Sequence, residues 1–269
     1  FVEQWQGKSP RITPGLAPHA PYTVAPQHLQ EVGESASRLQ APISIHLAET
    51  FTELSQITEQ EGVPPITHAL NHLGDNRIIG AHTVYAQPED YAGMAKPGFG
   101  AIHNPTSNAK LASGIAPIAD LLNAGVAVGL GTDGAASNND LNMFEEIKLT
   151  ALIHKLREND PTAMPAQTAL SLATRSGARA IGMAQSVGQI SAGFNADLIQ
   201  LSVDELRSQP VHDIISHLVY TADARDLVTS MVAGQLVFAD GEVLTIDKSQ
   251  LQQKVAQITQ AIKQLNAEP

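Results

Sequence analysis

A histidine and a carboxylate stand three positions apart in Ile43-Ser44-Ile45-His46-Leu47-Ala48-Glu49-Thr50. Such a pair can offer a neutral imidazole to a metal and move protons with the acid beside it. His46 is therefore a candidate ligand and Glu49 a candidate proton carrier. Neither type is decisive alone, because a polar strand end satisfied by hydrogen bonds reads the same way. Residues of similar chemistry recur along the first half of the chain: His19, His82, His103 and Asp133 each close a short run of small or apolar residues. The 269 residues contain no cysteine, which excludes disulfides, thiol catalysis and thiolate-bound zinc. Any transition metal here must sit on histidine and carboxylate.

The runs that deliver these residues read as strands. Ile43-Ser44-Ile45, Ile78-Ile79-Gly80-Ala81, Gly98 through Ile102 and Val126 through Gly131 are apolar and β-branched or small, and each gives way to a turn or loop. The segment through Leu16 is expected as a further short strand, running into a loop stiffened by Pro18 and Pro21. Between them lie helical patterns at residues 26–39, 51–62, 66–73 and 117–123, opened by prolines or closed by glycines. Alternating strands and helices imply an α/β fold with a parallel sheet and right-handed crossovers, which gathers all five strand tips at one edge. That edge is where (β/α)8 TIM-type barrels assemble their sites.

After Asp133 the texture changes. Helices are expected over 141–159 and within 165–182, and from residue 190 short strands follow at 196–201, 226–232, 235–238 and 242–246. Ala233-Gly234 and Asp240-Gly241 mark tight turns between them, so this part reads as a small antiparallel sheet. Leu251, Val255, Ile258, Ile262 and Leu265 share one face of a terminal amphipathic helix. The expected division is a barrel part over 1–189, a small β domain over 190–247 and a terminal helix over 248–269. His28, His68, His72 and His154 fall in helical patterns and read as surface or packing residues, while His212 and His217 fall in the appended region.

A net charge of −11, with lysine and arginine scattered, argues against nucleic acid and anionic membrane as partners and favours a small-molecule substrate. No apolar run reaches the length of a membrane span, and the default location is cytoplasmic.

The runs Ala17-Pro18-His19-Ala20-Pro21-Tyr22-Thr23, His46-Leu47-Ala48-Glu49-Thr50, Gly80-Ala81-His82, Ser107 through Gly114 and Gly131 through Asn139 together resemble the amidohydrolase superfamily. Within it they are similar to the 5′-methylthioadenosine/S-adenosylhomocysteine deaminases. The resemblance implies one divalent metal, usually zinc, bound by His46 and Asp133, with Asp133 also the base that deprotonates water. It implies that Glu49 protonates the purine ring nitrogen and that His82 orients the attacking hydroxide. His19 and Ser137 would contact the nucleoside, and a homo-oligomer is suggested. No role is carried over for His103, which reads as a packing or loop residue.

One element of the family pattern has no counterpart: no His-x-His pair occurs in the sequence. Five strands do not close an eight-stranded barrel, and the chain starts at Phe1. The expectation is the C-terminal part of a longer protein, with weak metal binding and no catalysis if His46 and Asp133 act alone. Triazine chlorohydrolases and guanine deaminases share several of the motifs. They remain alternatives, as does a catalytically silent fragment that keeps the fold.

Overall fold

The computed structural model describes residues 1–265. After a single helical turn, α1 (Val2–Trp5), the first expected strand is reduced to one parallel bridge between Leu16 and Ile43. Pro14 and Pro18 flank Leu16 and lack the N–H that a ladder requires, so pairing cannot spread beyond it. The bridge is enough to fix the segment. Leu16 N–H donates to Pro42 O at 2.9 Å, and His46 N–H donates to His19 O at 3.1 Å.

Helix α2 (Pro26–Leu39) begins on proline at its first turn and ends on Gln40 in the left-handed region. It leads into β1 (Ile43–Leu47), where Ile43, Ile45 and Leu47 are buried on one face. Burial of each such side chain is worth roughly 1.5–3 kcal/mol. Helix α3 (Phe51–Glu61) is capped by Thr50, whose side chain accepts from Glu53 N–H, and it stops at Gly62 with φ +73°. Helix α4 (Pro65–Leu73) packs on α2 so closely that a Cβ on Gly33 would lie 2.8 Å from Leu73 O, which explains that glycine.

The repeat continues through β2 (Ile78–His82), the short α5 (Tyr91–Met94), β3 (Phe99–His103), α6 (Pro105–Lys110), α7 (Ile118–Asn123) and β4 (Ala127–Leu130). The strands pair in the order β1-β2-β3-β4, all parallel, with Ile45 opposite Gly80, Gly80 opposite Ala101 and Ala101 opposite Val128. This is an arc of a β/α barrel. Asp133 lies three residues beyond the last strand residue rather than at its tip. Then come α8 (Ala135–Asn138), α9 (Met143–Glu158), α10 (Ala166–Leu172) and α11 (Arg175–Ala180). Backbone of α11 lies against β3: a Cβ on Gly100 would be 2.0 Å from Ala180 O, so only glycine fits there.

The remainder forms β5 (Leu198–Leu201), α12 (Ile214–Tyr220), β6 (Leu227–Val232), β7 (Gln235–Ala239), β8 (Glu242–Val243) and α13 (Lys248–Leu265). Strands β5 to β8 make an antiparallel sheet in sequential order. Its turns carry φ of +48° and +79° at Ala233-Gly234 and +52° and +79° at Asp240-Gly241, the conformation such turns demand. The chain divides into one compact unit of residues 1–194 with 210–224 and another of 195–209 with 225–269. The block expected over 190–247 is thus interrupted. Helix α12 has no strong periodicity over so short a span, and it returns to the first unit, where Val219 is buried in the core. Among the described residues, no helix is long and apolar enough to cross a membrane.

Candidate metal-centred active site

His46 occupies the outward pleat of β1, opposite the buried Ile45 and Leu47. Its Nδ1–H donates to His19 O at 2.7 Å, since a carbonyl can only accept, and this leaves the Nε2 lone pair available. The proline-bordered loop that broke the first strand therefore fixes the tautomer of the neighbouring histidine. His19 itself donates Nδ1–H to Thr23 Oγ1 at 2.7 Å, and Thr23 passes its proton on to Ala20 O. Its Nε2 is likewise free, on an exposed ring 5.1 Å from that of His46.

His82 closes β2 with φ +72°, followed by Thr83 at +48°. Backbone torsions that L-residues avoid turn the imidazole across the sheet edge, where it stacks 5.4 Å from His46. Its Nδ1–H donates to Asn108 Oδ1 at 2.8 Å, and its backbone N–H donates to Asn104 Oδ1 at 3.2 Å. Nε2 of this 1 % exposed residue has no hydrogen-bond partner. It faces Glu49 Oε2 at 3.8 Å and Asp133 Oδ2 at 4.0 Å.

Asp133 also has a positive φ, +62°. Its Oδ2 accepts from Ser107 Oγ at 2.7 Å and from Ser137 Oγ at 2.6 Å. Burial pushes this carboxyl up, but the hydrogen bonds from Ser137, Ser107 and the Gly134 backbone, with His82 nearby, outweigh it and hold the pKa below the ordinary value. Asp133 is an anion at neutral pH. Glu49 accepts from Ser113 Oγ at 3.2 Å. Its position is set by Glu53, whose carboxylate takes the N–H groups of Ala48 and Glu49 at 2.9 and 2.8 Å.

Donor atoms of His46, His82 and Asp133 lie within 4.8 Å of one another. Imidazole lone pairs and a carboxylate crowded into one space repel unless a cation joins them. The orphaned Nε2 of buried His82 shows that the residues present fit a divalent ion. Histidine nitrogen with carboxylate oxygen suits zinc and its neighbours in the transition series.

The structure brings together His19, His46, Glu49, His82, Asp133 and Ser137, all on the C-terminal side of the sheet. Ser137 has its hydroxyl on Asp133, so its visible contact is with that carboxylate. His103 turns away, with its Nε2 3.3 Å from Nε2 of His154 on α9. Sequence reasoning gave no role to Glu53, Asn104, Ser107, Asn108 or Ser113. Glu53 carried a signal all the same, since Thr50-x-x-Glu53 has the spacing of a helix-capping box. The others are ordinary polar residues whose partners are distant in sequence.

A parallel β/α arc with histidine and aspartate converging at its C-terminal edge has the architecture of β/α-barrel proteins with a metal-centred site, and the chain belongs to the amidohydrolase family, which matches residues 2–237. It is 44% identical over 254 residues to the 5-methylthioadenosine/S-adenosylhomocysteine deaminase of Carboxydothermus hydrogenoformans, covering 93% of this chain and 58% of that protein. With the protein of the same name from Desulforudis audaxviator it shares 43% identity over 92% of this chain and 58% of that one. The chain thus spans about three fifths of the length of these relatives. A crystal structure of an adenosine deaminase from Xanthomonas campestris with bound zinc superposes with a TM-score of 0.92 at 35% identity, covering 98% of this chain and 60% of the other. A mutant atrazine chlorohydrolase from Arthrobacter aurescens, complexed with zinc and atraton, shares the fold at a TM-score of 0.85 and 24% identity, over 96% of this chain and 57% of the other.

Proposed function

We propose that this chain carries much of the centre of a metal-dependent hydrolytic deaminase, converting 5′-methylthioadenosine or S-adenosylhomocysteine to the inosine analogue and ammonia. The observation that carries the reading is the convergence of His46, His82 and Asp133 donor atoms within 4.8 Å, with Glu49 at their edge. Support for the substrate comes from relatives 43–44% identical that bear that name.

A divalent ion held by His46 and Asp133, zinc in our reading, would acidify water by many units and so supply a nucleophile at neutral pH. Asp133 takes the water's proton as oxygen bonds to the amino-bearing ring carbon. His82 accepts a hydrogen bond from that water through its Nε2 lone pair and aims it. Glu49 gives a proton to the adjacent ring nitrogen, which neutralises the charge that addition would otherwise leave there. When the carbon–nitrogen bond breaks, the proton on Asp133 leaves with ammonia, and the hydroxyl proton released as the carbonyl forms returns to Glu49. His19, through its free Nε2, accepts from a nucleoside hydroxyl, and Ser137 lies within reach of the substrate while holding Asp133. A cytoplasmic homo-oligomer completes the proposal, on the strength of the deaminase likeness.

The test follows ammonia release and the loss of adenine absorbance in the full-length protein with methylthioadenosine, S-adenosylhomocysteine, adenosine and a chlorotriazine. Turnover of a thioether nucleoside above adenosine is expected. Turnover of the chlorotriazine alone would move the protein to another branch of the family. A metal content near zero in the purified protein, with no turnover at all, would leave a silent scaffold.

A further inference from the structure

Glu146 takes no part in the chemistry proposed above, yet it is completely buried. It projects from α9 towards two short helices. Oε2 accepts from Thr106 N–H, in the first turn of α6, at 3.1 Å, and Oε1 accepts from Asn138 Nδ2, at the end of α8, at 2.7 Å. Helices α6 and α8 are six and four residues long. Helices of that length do not persist without outside support. The residue preceding α6, Asn104, makes no capping bond of its own because its Oδ1 serves His82 N–H. The carboxylate of Glu146 therefore supplies from another helix the acceptor that the start of α6 lacks.

These two helices carry the groups that aim the site. From α6 come Ser107, which holds Asp133, and Asn108, which fixes the His82 ring; from α8 comes Ser137, which holds the same Asp133 oxygen. We propose that Glu146 is a positioning residue that clamps α6 and α8 together and thereby sets the tautomer of His82 and the orientation of Asp133. The proposal rests on the deaminase reading for its catalytic consequence, though not for its structural one. Lys110 Nζ also joins the helices, reaching Ala136 O and Asn139 Oδ1, but from an exposed position where water competes.

Glu146→Gln keeps the volume and one acceptor, but turns the other into an N–H that must face Thr106 N–H or the Asn138 amide. In the full-length protein it should lower kcat for methylthioadenosine and the affinity for zinc by about 10- to 100-fold, with KM within about threefold. In metal-free protein, nitrogen-15 spectra of the imidazoles should show His82 as its Nδ1–H tautomer in the wild type and a mixture in the variant. A melting temperature that falls while tautomer and zinc affinity stay at wild-type values would mean Glu146 only holds the fold, and would overturn the proposal. Should Glu146→Gln not fold, Asn138→Ala removes the α8 arm, together with the bond that Asn138 Oδ1 accepts from Leu141 N–H, and leaves the α6 arm in place. It should shift tautomer and zinc affinity in the same direction by a smaller factor, and an unmoved spectrum would again overturn the idea. Wild-type protein with no deaminase turnover would sink the functional reading, while the tautomer comparison would still decide the role of Glu146.

Discussion

Two histidine pairs, His46 with His82 at the ends of β1 and β2 and His103 at the end of β3 with His154 on α9, have opposite characters. His46 and His82 each spend Nδ1–H on an oxygen acceptor; Nε2 of His82 faces Glu49 and Asp133, and His46 brings a donor atom within 4.8 Å of the same Asp133. His103 and His154 face each other through Nε2, their Nδ1 atoms have no partner, and no carboxylate is among the causes of their shifted pKa values. Burial holds both neutral: His103 falls well below the usual imidazole value, with His154, His82 and Arg157 as further positive neighbours, and His154 falls to about 4, with Arg157 beside it. A histidine at a strand tip is therefore not a ligand by position. What it becomes depends on whether its second nitrogen is anchored and whether an anion shares its space.

The contrast can be broken most severely at the first pair. If the proposed function holds, His46→Leu or Asp133→Asn in the full-length protein should remove the stoichiometric metal or its use and lower kcat by ~10³-fold or more, read by elemental analysis and ammonia release. Replacing the second pair by His103→Leu with His154→Leu should leave zinc content and kcat within about threefold. Because both partners become apolar together, stability at pH 7.5 should change by no more than about 1 kcal/mol in guanidinium melts. Zinc lost from the double variant would erase the distinction.

The second pair should also announce itself in pH dependence. Unfolded imidazoles ionise near 6.5, whereas His154 in the fold ionises near 4 and His103 lower than usual. Between those values the unfolded chain binds more protons, so stability is full above about pH 6.5 and is lost as pH falls towards 4. His154 alone should contribute a loss of about 3 kcal/mol over that window. Denaturant melts between pH 7.5 and 4.5 check this, and the slope should flatten in the double leucine variant. A modest effect is expected of Ser113→Ala, which removes one 3.2 Å donor from Glu49 and should lower kcat about two- to tenfold.

Alternation of apolar runs and helical patterns was enough to place β1 to β4 and the longer helices between them, because each strand's burial is written in its own residues, whereas the short α5, α6 and α8 were not expected. His46, Glu49, His82 and Asp133 were likewise legible as types at strand ends. The reduction of the first strand to one bridge was less so, although its prolines already argued against a ladder. Glu53 was missed although its partners Ala48 and Glu49 are close in sequence, whereas Asn108, Ser107 and Glu146 escaped because their significance lies in partners that only the folded chain brings near. Glu146 and Thr106, for example, are 40 positions apart. The excursion of α12 back to the first unit escaped for a related reason, since seven residues carry too little periodicity to announce a side.

Ala48, His82, Thr83 and Asp133 all leave their strands with φ between +48° and +72°. Each L-residue held there costs about 1–2 kcal/mol, so the active edge sets a ceiling on the heat resistance of the whole unit. The ceiling is uneven. At 48 the side chain is a methyl group, and glycine would relax the torsion without deleting a reacting group, at the risk of loosening Glu49 next to it. At 82 and 133 the proposed mechanism makes the strained residue part of the chemistry, so on that reading no substitution can recover the stability while the site still works.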